Sequence, residues 1–100
     1  MGRLTYEGSV SLEVDDRTLL HLQIVIGNKL KRGEPFHFTW THDPMEGGGR
    51  TSIWIHPGAQ LVYKFSSRRR QELNRSWMDA LMSGANSASG MYLLREPSES

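Results

Sequence analysis

The chain is 100 residues long and carries 12 Lys plus Arg against 11 Asp plus Glu, a formal net charge of +1, with 37% hydrophobic residues. That length allows one domain with one modest core and no deep cleft between domains, and the composition is that of a folded soluble chain. Cysteine is absent, which excludes disulfides and thiolate metal sites and makes the cytoplasm the expected compartment, while the near-zero charge does not by itself demand a polyanionic partner.

In chain order, the opening "MGRLTYEGSV" lacks the basic-then-apolar layout of a signal peptide and the Ser or Thr at position 6 of a myristoylation site. No later run approaches the roughly 20 apolar residues that cross a bilayer, so no membrane partner is expected. "RLTYEG" and "VSLEVDD" alternate as two short strands, with Val10, Leu12 and Val14 on one face. "RTLLHLQIVIGNKLKRG" changes to helical spacing: Leu19, Leu22, Ile26 and Leu30 recur every three or four residues beside Val25. Asp15 or Asp16 is placed to cap its start, Lys29, Lys31 and Arg32 suit its negative end, and Gly33 stops it. "PFHFTWTH" returns to alternation, with Phe36, Phe38 and Trp40 on one face.

After the polar loop "DPMEGGGR" the order begins again. "TSIWIHPG" and "AQLVYKFSS" read as two strands joined at Pro57-Gly58, a strong turn pair. "RQELNRSWMDALMSGANS" gives a second helical stripe of Leu73, Trp77 and Leu81, with Ala80 and Gly84 beside it. "MYLLRE" is the last strand and "PSES" a polar tail over 97–100. Leu61, Tyr63 and Phe65 match Val10, Leu12 and Val14 at a constant offset, and Arg17 matches Arg68 at each expected helix start. The expected fold is therefore α+β: a single domain over 1–96 built as a tandem ββαβ pseudo-repeat, halves about 1–42 and 50–96. A largely antiparallel sheet would carry both helices on one face.

Chemistry-bearing residues are few. Arg68, Arg69 and Arg70 stand where the second helix is expected to begin, and there they oppose its dipole, which costs a few tenths of a kcal/mol to ~1 kcal/mol. That opposition suggests an anionic partner, with Lys64 and Arg75 close by and Lys29, Lys31 and Arg32 as a second basic group at the far end of the first helix; phosphate contact through these eight residues and Arg17 is the nucleic-acid alternative. The bland reading makes them a solvated surface with their stems on apolar neighbours. His37, His42 and His56 lie on middle strands, but two or three histidines on an open sheet do not converge as zinc requires. "EGGGR" lacks the Lys-Ser or Lys-Thr of a phosphate loop. Trp54, flanked by Ile53 and Ile55 of the opposite face, and Val62 are candidates for a protein interface, with a homodimer as the expected partner.

The segments "DDRTLLHLQIVIGNKLKRGEPFHFTW", "GRTSIWIHP", "LVYKFS", "LNRSWMDALM" and "ANSASG" together resemble a family of short actinobacterial proteins of about a hundred residues. Many of its members carry the label ATP-dependent DNA ligase. The resemblance implies no established function, and its firmest motifs match Asp15, Asp16 and Arg17, then Asn74, Arg75 and Trp77. A ligase of the labelled class is similar in needing a lysine in a K-x-D-G context. Lys29, Lys31 and Lys64 stand in "KLKR", "KRGE" and "KFSS", and none fits. The expected function is a small non-catalytic binding or regulatory module, self-associating, without metal or cofactor. The alternative is a nucleic-acid-associated accessory protein.

Overall fold

The structure, a computed structural model, describes residues 1–98, so positions 99 and 100 of the expected tail lie outside the described residues. The fold is α+β, with six strands and two helices, and the strands divide between two three-stranded sheets. In the first sheet β1 (Gly2–Tyr6) is central between β2 (Val10–Val14) and β5 (Leu61–Lys64), all antiparallel. In the second, β3 (Phe36–Thr41) is central, antiparallel to β4 (Arg50–Ile55) and parallel to the two-residue β6 (Met91–Tyr92).

The elements follow from the alternation and the helical stripe. Leu4, Leu12 and Val14 are buried on one face of the first sheet, and Phe36, Phe38, Trp40, Ile53 and Ile55 on one face of the second. Helix α1 (Asp16–Lys31) buries Leu19, Leu22, Val25 and Ile26, and Gly33 beyond its end takes the left-handed φ of 69° that lets the chain turn back. It packs on β1 and against α2 (Arg75–Ala85), which in turn lies on β6 and β3. Trp77 and Leu81 of α2, with Met91 of β6, complete the same core.

Two expectations are corrected. The turn at Pro57-Gly58 forms, with the Ala59 N–H donating to the His56 carbonyl at 3.0 Å, but it does not close a hairpin. It carries the chain from one sheet to the other. The registers show this: Ile53 and Ile55 pair opposite Phe38 and Phe36, whereas Tyr63 and Leu61 pair opposite Leu4 and Tyr6. The second correction concerns α2, which starts at Arg75 with Asn74 as its cap, so Arg68, Arg69 and Arg70 are not in a helix. Leu73 stands outside the helix and is 47% exposed. The conflict between the arginines and a helix dipole therefore does not arise at the triplet.

Candidate functional site

The polar residues at the start of α1 hold three separate pieces of chain together. Asp15 precedes the helix without capping it through its side chain; its carboxylate accepts instead from the Thr18 hydroxyl. The Asp16 carboxylate accepts from the Ser66 N–H and hydroxyl and from the Ser67 N–H, each at 3.0 Å. These donors, the Ser66 N–H foremost, hold the Asp16 carboxyl below the usual range against a smaller opposing cost of desolvation. One residue on, the Arg17 guanidinium makes a two-pronged contact with Glu96, Nε to Oε1 at 2.9 Å and Nη2 to Oε2 at 2.6 Å, and also donates to the Glu72 carbonyl. The Arg17 and Asn74 donors bring the Glu96 carboxyl down to about 2.

Deeper, His21 is fully buried and links α1 to the start of α2. Its Nε2 accepts the Asn74 backbone N–H at 2.8 Å, and its Nδ1 lies 2.7 Å from the Arg17 carbonyl. The ring also packs on Trp77 with centroids 4.5 Å apart. The Asn74 side chain caps α2 by accepting the Trp77 N–H at 3.2 Å and donates to Glu96 and to the Pro97 carbonyl, each at 3.0 Å. The indole of Trp77 donates to the Leu94 carbonyl at 3.0 Å. Because the backbone of Glu72 and Asn74 serves these tertiary contacts, residues 70–74 are drawn out of the helix that Leu73 alone would extend.

Between the two anchors, Ser66–Ser67 on Asp16 and residues 72–74 on Arg17 and His21, the chain crosses α1 as an irregular strap. Arg68, Arg69 and Arg70 are exposed on it, beside a depression of about 250 Å³ bordered by Leu20, Gln23 and Phe65. Next along α1 is the seam between the helices, a second depression of about 420 Å³ lined by Ile24, Asn28, Leu73, Arg75, Met78 and Met82 among others. Among the described residues no carboxylate lies within 4.0 Å of the guanidinium nitrogens of Arg68, Arg69, Arg70 or Arg75.

The nine basic positions do not converge. Arg17 is committed to the Glu96 contact. Lys29 is only 5% exposed, with Nζ donating to Asn86 Oδ1 at 2.6 Å and Glu34 Oε1 at 3.0 Å. Lys31 and Arg32 lie at the far end of α1, about 22 Å from its start by the rise of a helix, and Arg32 is within 4.0 Å of Glu34. Lys64, just before the strap, sits beside Arg3 on the open face of the first sheet. Val62 is on that same open face, 47% exposed, and Trp54 is on the open face of the second sheet, 46% exposed with its ring against His37. His37 therefore faces Trp54 rather than His56, and His42 pairs with Thr51. Among the described residues no three His, Cys, Asp or Glu side chains gather as a metal site, and no helix is long and apolar enough to cross a membrane.

A family profile described as a domain of unknown function, DUF7882, matches residues 1–96. The chain belongs to that family. No curated protein and no solved structure matches it. Within this DUF7882 domain the motifs that stand out in the sequence are largely structural. Five of the six residues in "DDR" and "NR-W" have side-chain hydrogen bonds within the fold, and in "ANSASG" Asn86 accepts from the Lys29 amine of α1 while Gly90 lies close against His37 of β3. Arg75 is exposed in the helix seam. Sequence reasoning missed Glu96, whose partner Arg17 is distant along the chain, and the apolar lining of the strap and seam. The only local signal for the latter was that Leu20, Ile24 and Asn28 repeat every four residues on the α1 face opposite its core stripe.

Proposed function

We propose that this domain is a small non-catalytic binding module that contacts an anionic partner through the strap 65–75. The observation that carries the reading is the group of Arg68, Arg69, Arg70 and Arg75, exposed without carboxylate partners among the described residues. Their backbone is anchored at both ends by Asp16, Arg17 and His21. An anchored display of cations costs less ordering on binding than a free loop, and summed positive charge steers an anionic partner. The absence of cysteine supports a cytoplasmic setting. Ligase activity is not part of this reading: no lysine stands in K-x-D-G, and the Lys29 amine is buried against Glu34 and Asn86.

Fluorescence anisotropy with labelled polyglutamate and a labelled DNA duplex tests the reading, at about 50 and about 200 mM salt, with R68A/R69A/R70A beside the wild type. The reading expects salt-sensitive binding that weakens in the variant. If DNA is the ligand, the log-log salt slope steepens by about 0.9 for each phosphate neutralised. No binding of either polyanion at low salt would end it.

A second reading is self-association through the open face of the second sheet, favoured by Trp54, which is exposed there against His37 with Tyr92 on the same face. Sedimentation of the wild type and Trp54→Ser decides it: a dimer that dissociates in the variant supports it, and a wild-type monomer at high concentration removes it.

A further inference from the structure

Beyond the charge of the strap, its apolar surroundings identify the partner more closely, an identification that rests on the anionic-partner reading of the same surface. The four arginines border a trough made of two neighbouring depressions, whose linings mix apolar and polar side chains and include Asp79 beside Arg75. Leu20 and Phe65 lie beside Arg68, Arg69 and Arg70, and Ile24, Leu73, Met78 and Met82 line the seam that also holds Arg75. Leu20, Ile24 and Asn28 form one row along α1, and Met78 and Met82 form a row one turn long on α2. Ile24 and Asn28 line the seam together with Met78 and Met82, and Leu20 lines the depression beside the arginine triplet. Leu73, half-exposed at 47%, lines the seam.

From these features we infer that the trough is a docking groove for an acidic amphipathic helix of another protein. A helix laid in a two-helix seam presents apolar side chains at i, i+3 or i+4, and i+7, which is the geometry this seam complements. The row from Leu20 to Asn28 is about 12 Å long, enough for two to three turns of partner. Methionines such as Met78 and Met82 adapt to the shape of an incoming side chain. Carboxylates along the partner's flank would meet Arg75 at the seam and Arg68 to Arg70 at its end. A DNA backbone fits less well, because phosphates would lie over Leu20, Ile24 and Leu73 without using them. A bilayer is planar, and the apolar residues line a concavity instead of projecting from a convex surface.

The test is a selection of displayed random peptides of about 16 residues on the intact protein. Winning peptides are then synthesised and measured by anisotropy against the wild type, R68A/R69A/R70A and Leu73→Glu. Leu73 lies outside the helices and is half-exposed, so its substitution leaves the core intact, which circular dichroism verifies. The inference expects enriched acidic sequences with apolar residues at helical spacing, weakened roughly tenfold or more by each variant. Acidic winners without apolar periodicity, indifferent to Leu73→Glu, overturn the helix groove and leave the anionic-partner reading standing. Apolar winners indifferent to the arginine variant overturn the reading itself. If no peptide is enriched while a DNA duplex binds in an arginine-dependent way, the inference is overturned in favour of nucleic acid. If neither peptide nor duplex binds, both fall.

Discussion

His21 and Asn74 fix each other across 53 positions of sequence: the Asn74 backbone N–H donates to His21 Nε2 at 2.8 Å in the interior. Since Nε2 accepts, the ring carries its proton on Nδ1, which donates to the Arg17 carbonyl at 2.7 Å. One side chain thus joins α1 to the residue that caps α2 and sets where the strap ends. His21→Phe keeps a ring against Trp77 but leaves the Asn74 N–H without a partner. A buried unpaired donor costs about 1–3 kcal/mol, so the urea midpoint should fall accordingly while the core still forms. A midpoint unchanged from the wild type would show that the link does not hold the two helices together.

The Arg17–Glu96 contact makes stability depend on acid. Glu96 falls from an ordinary 4.5 to about 2 in the fold, chiefly through its hydrogen bonds from Arg17 and Asn74. A carboxyl lowered in this way contributes stability that is complete above about pH 4.5 and is lost as pH falls toward 2. Asp16 is lowered too, mainly by the Ser66 N–H, and adds a loss of the same sign in the acid range. Glu96→Gln should therefore be less stable than the wild type near neutrality and lose less on acidification. Urea midpoints measured through this window check it; parallel curves for the two proteins would contradict it.

Tyr63 works at the other end of the scale. Burial pushes its phenol from 10.0 up to about 12, because the ionised form is poorly solvated beside the core. Stability is unaffected by this group below pH 10 and should fall as pH rises from 10 to about 12. Tyr63→Phe should abolish that share of the alkaline loss. Thermal melts of both proteins across the range are the measurement, and an identical alkaline decline would refute the assignment.

Gly90 is where the loop after α2 meets β3. Its φ is +87°, and a Cβ there would stand 2.6 Å from the His37 carbonyl oxygen. Gly90→Ala should cost about 1–3 kcal/mol from backbone strain, with the clash added. The loss should show as a lowered Tm and weaker hydrogen-exchange protection of β6, whose register on β3 depends on that approach. A Tm equal to that of the wild type would mean the loop shifts without cost.

Strands and the first helix were legible in the sequence because their signals are local: Leu12 and Val14 alternate with polar neighbours, and Leu19, Leu22 and Ile26 keep helical spacing. The sharing of strands between sheets was not, since Pro57-Gly58 marks a turn whether or not its strands pair. Leu73 fits the stripe of Trp77 and Leu81 by spacing, yet Arg17 and His21 take the backbone there for long-range contacts. Lys29 fits a solvated helix end by charge, but Asn86, 57 positions away, draws its amine inward. The arginine triplet was visible as charge, and the depressions beside it were hidden because Leu20 and Phe65, like Ile24 and Met78, come together only through the fold.

An amide chemical-shift map of the labelled protein, titrated with polyglutamate at low salt, tests the strap as an anion-binding surface without relying on any variant. The perturbed amides should cluster at residues 65–75 and along α1 from Leu20 to Asn28, leaving Trp54 and Val62 unmoved. Shifts confined to the Trp54 face, or no shifts at all, would contradict it.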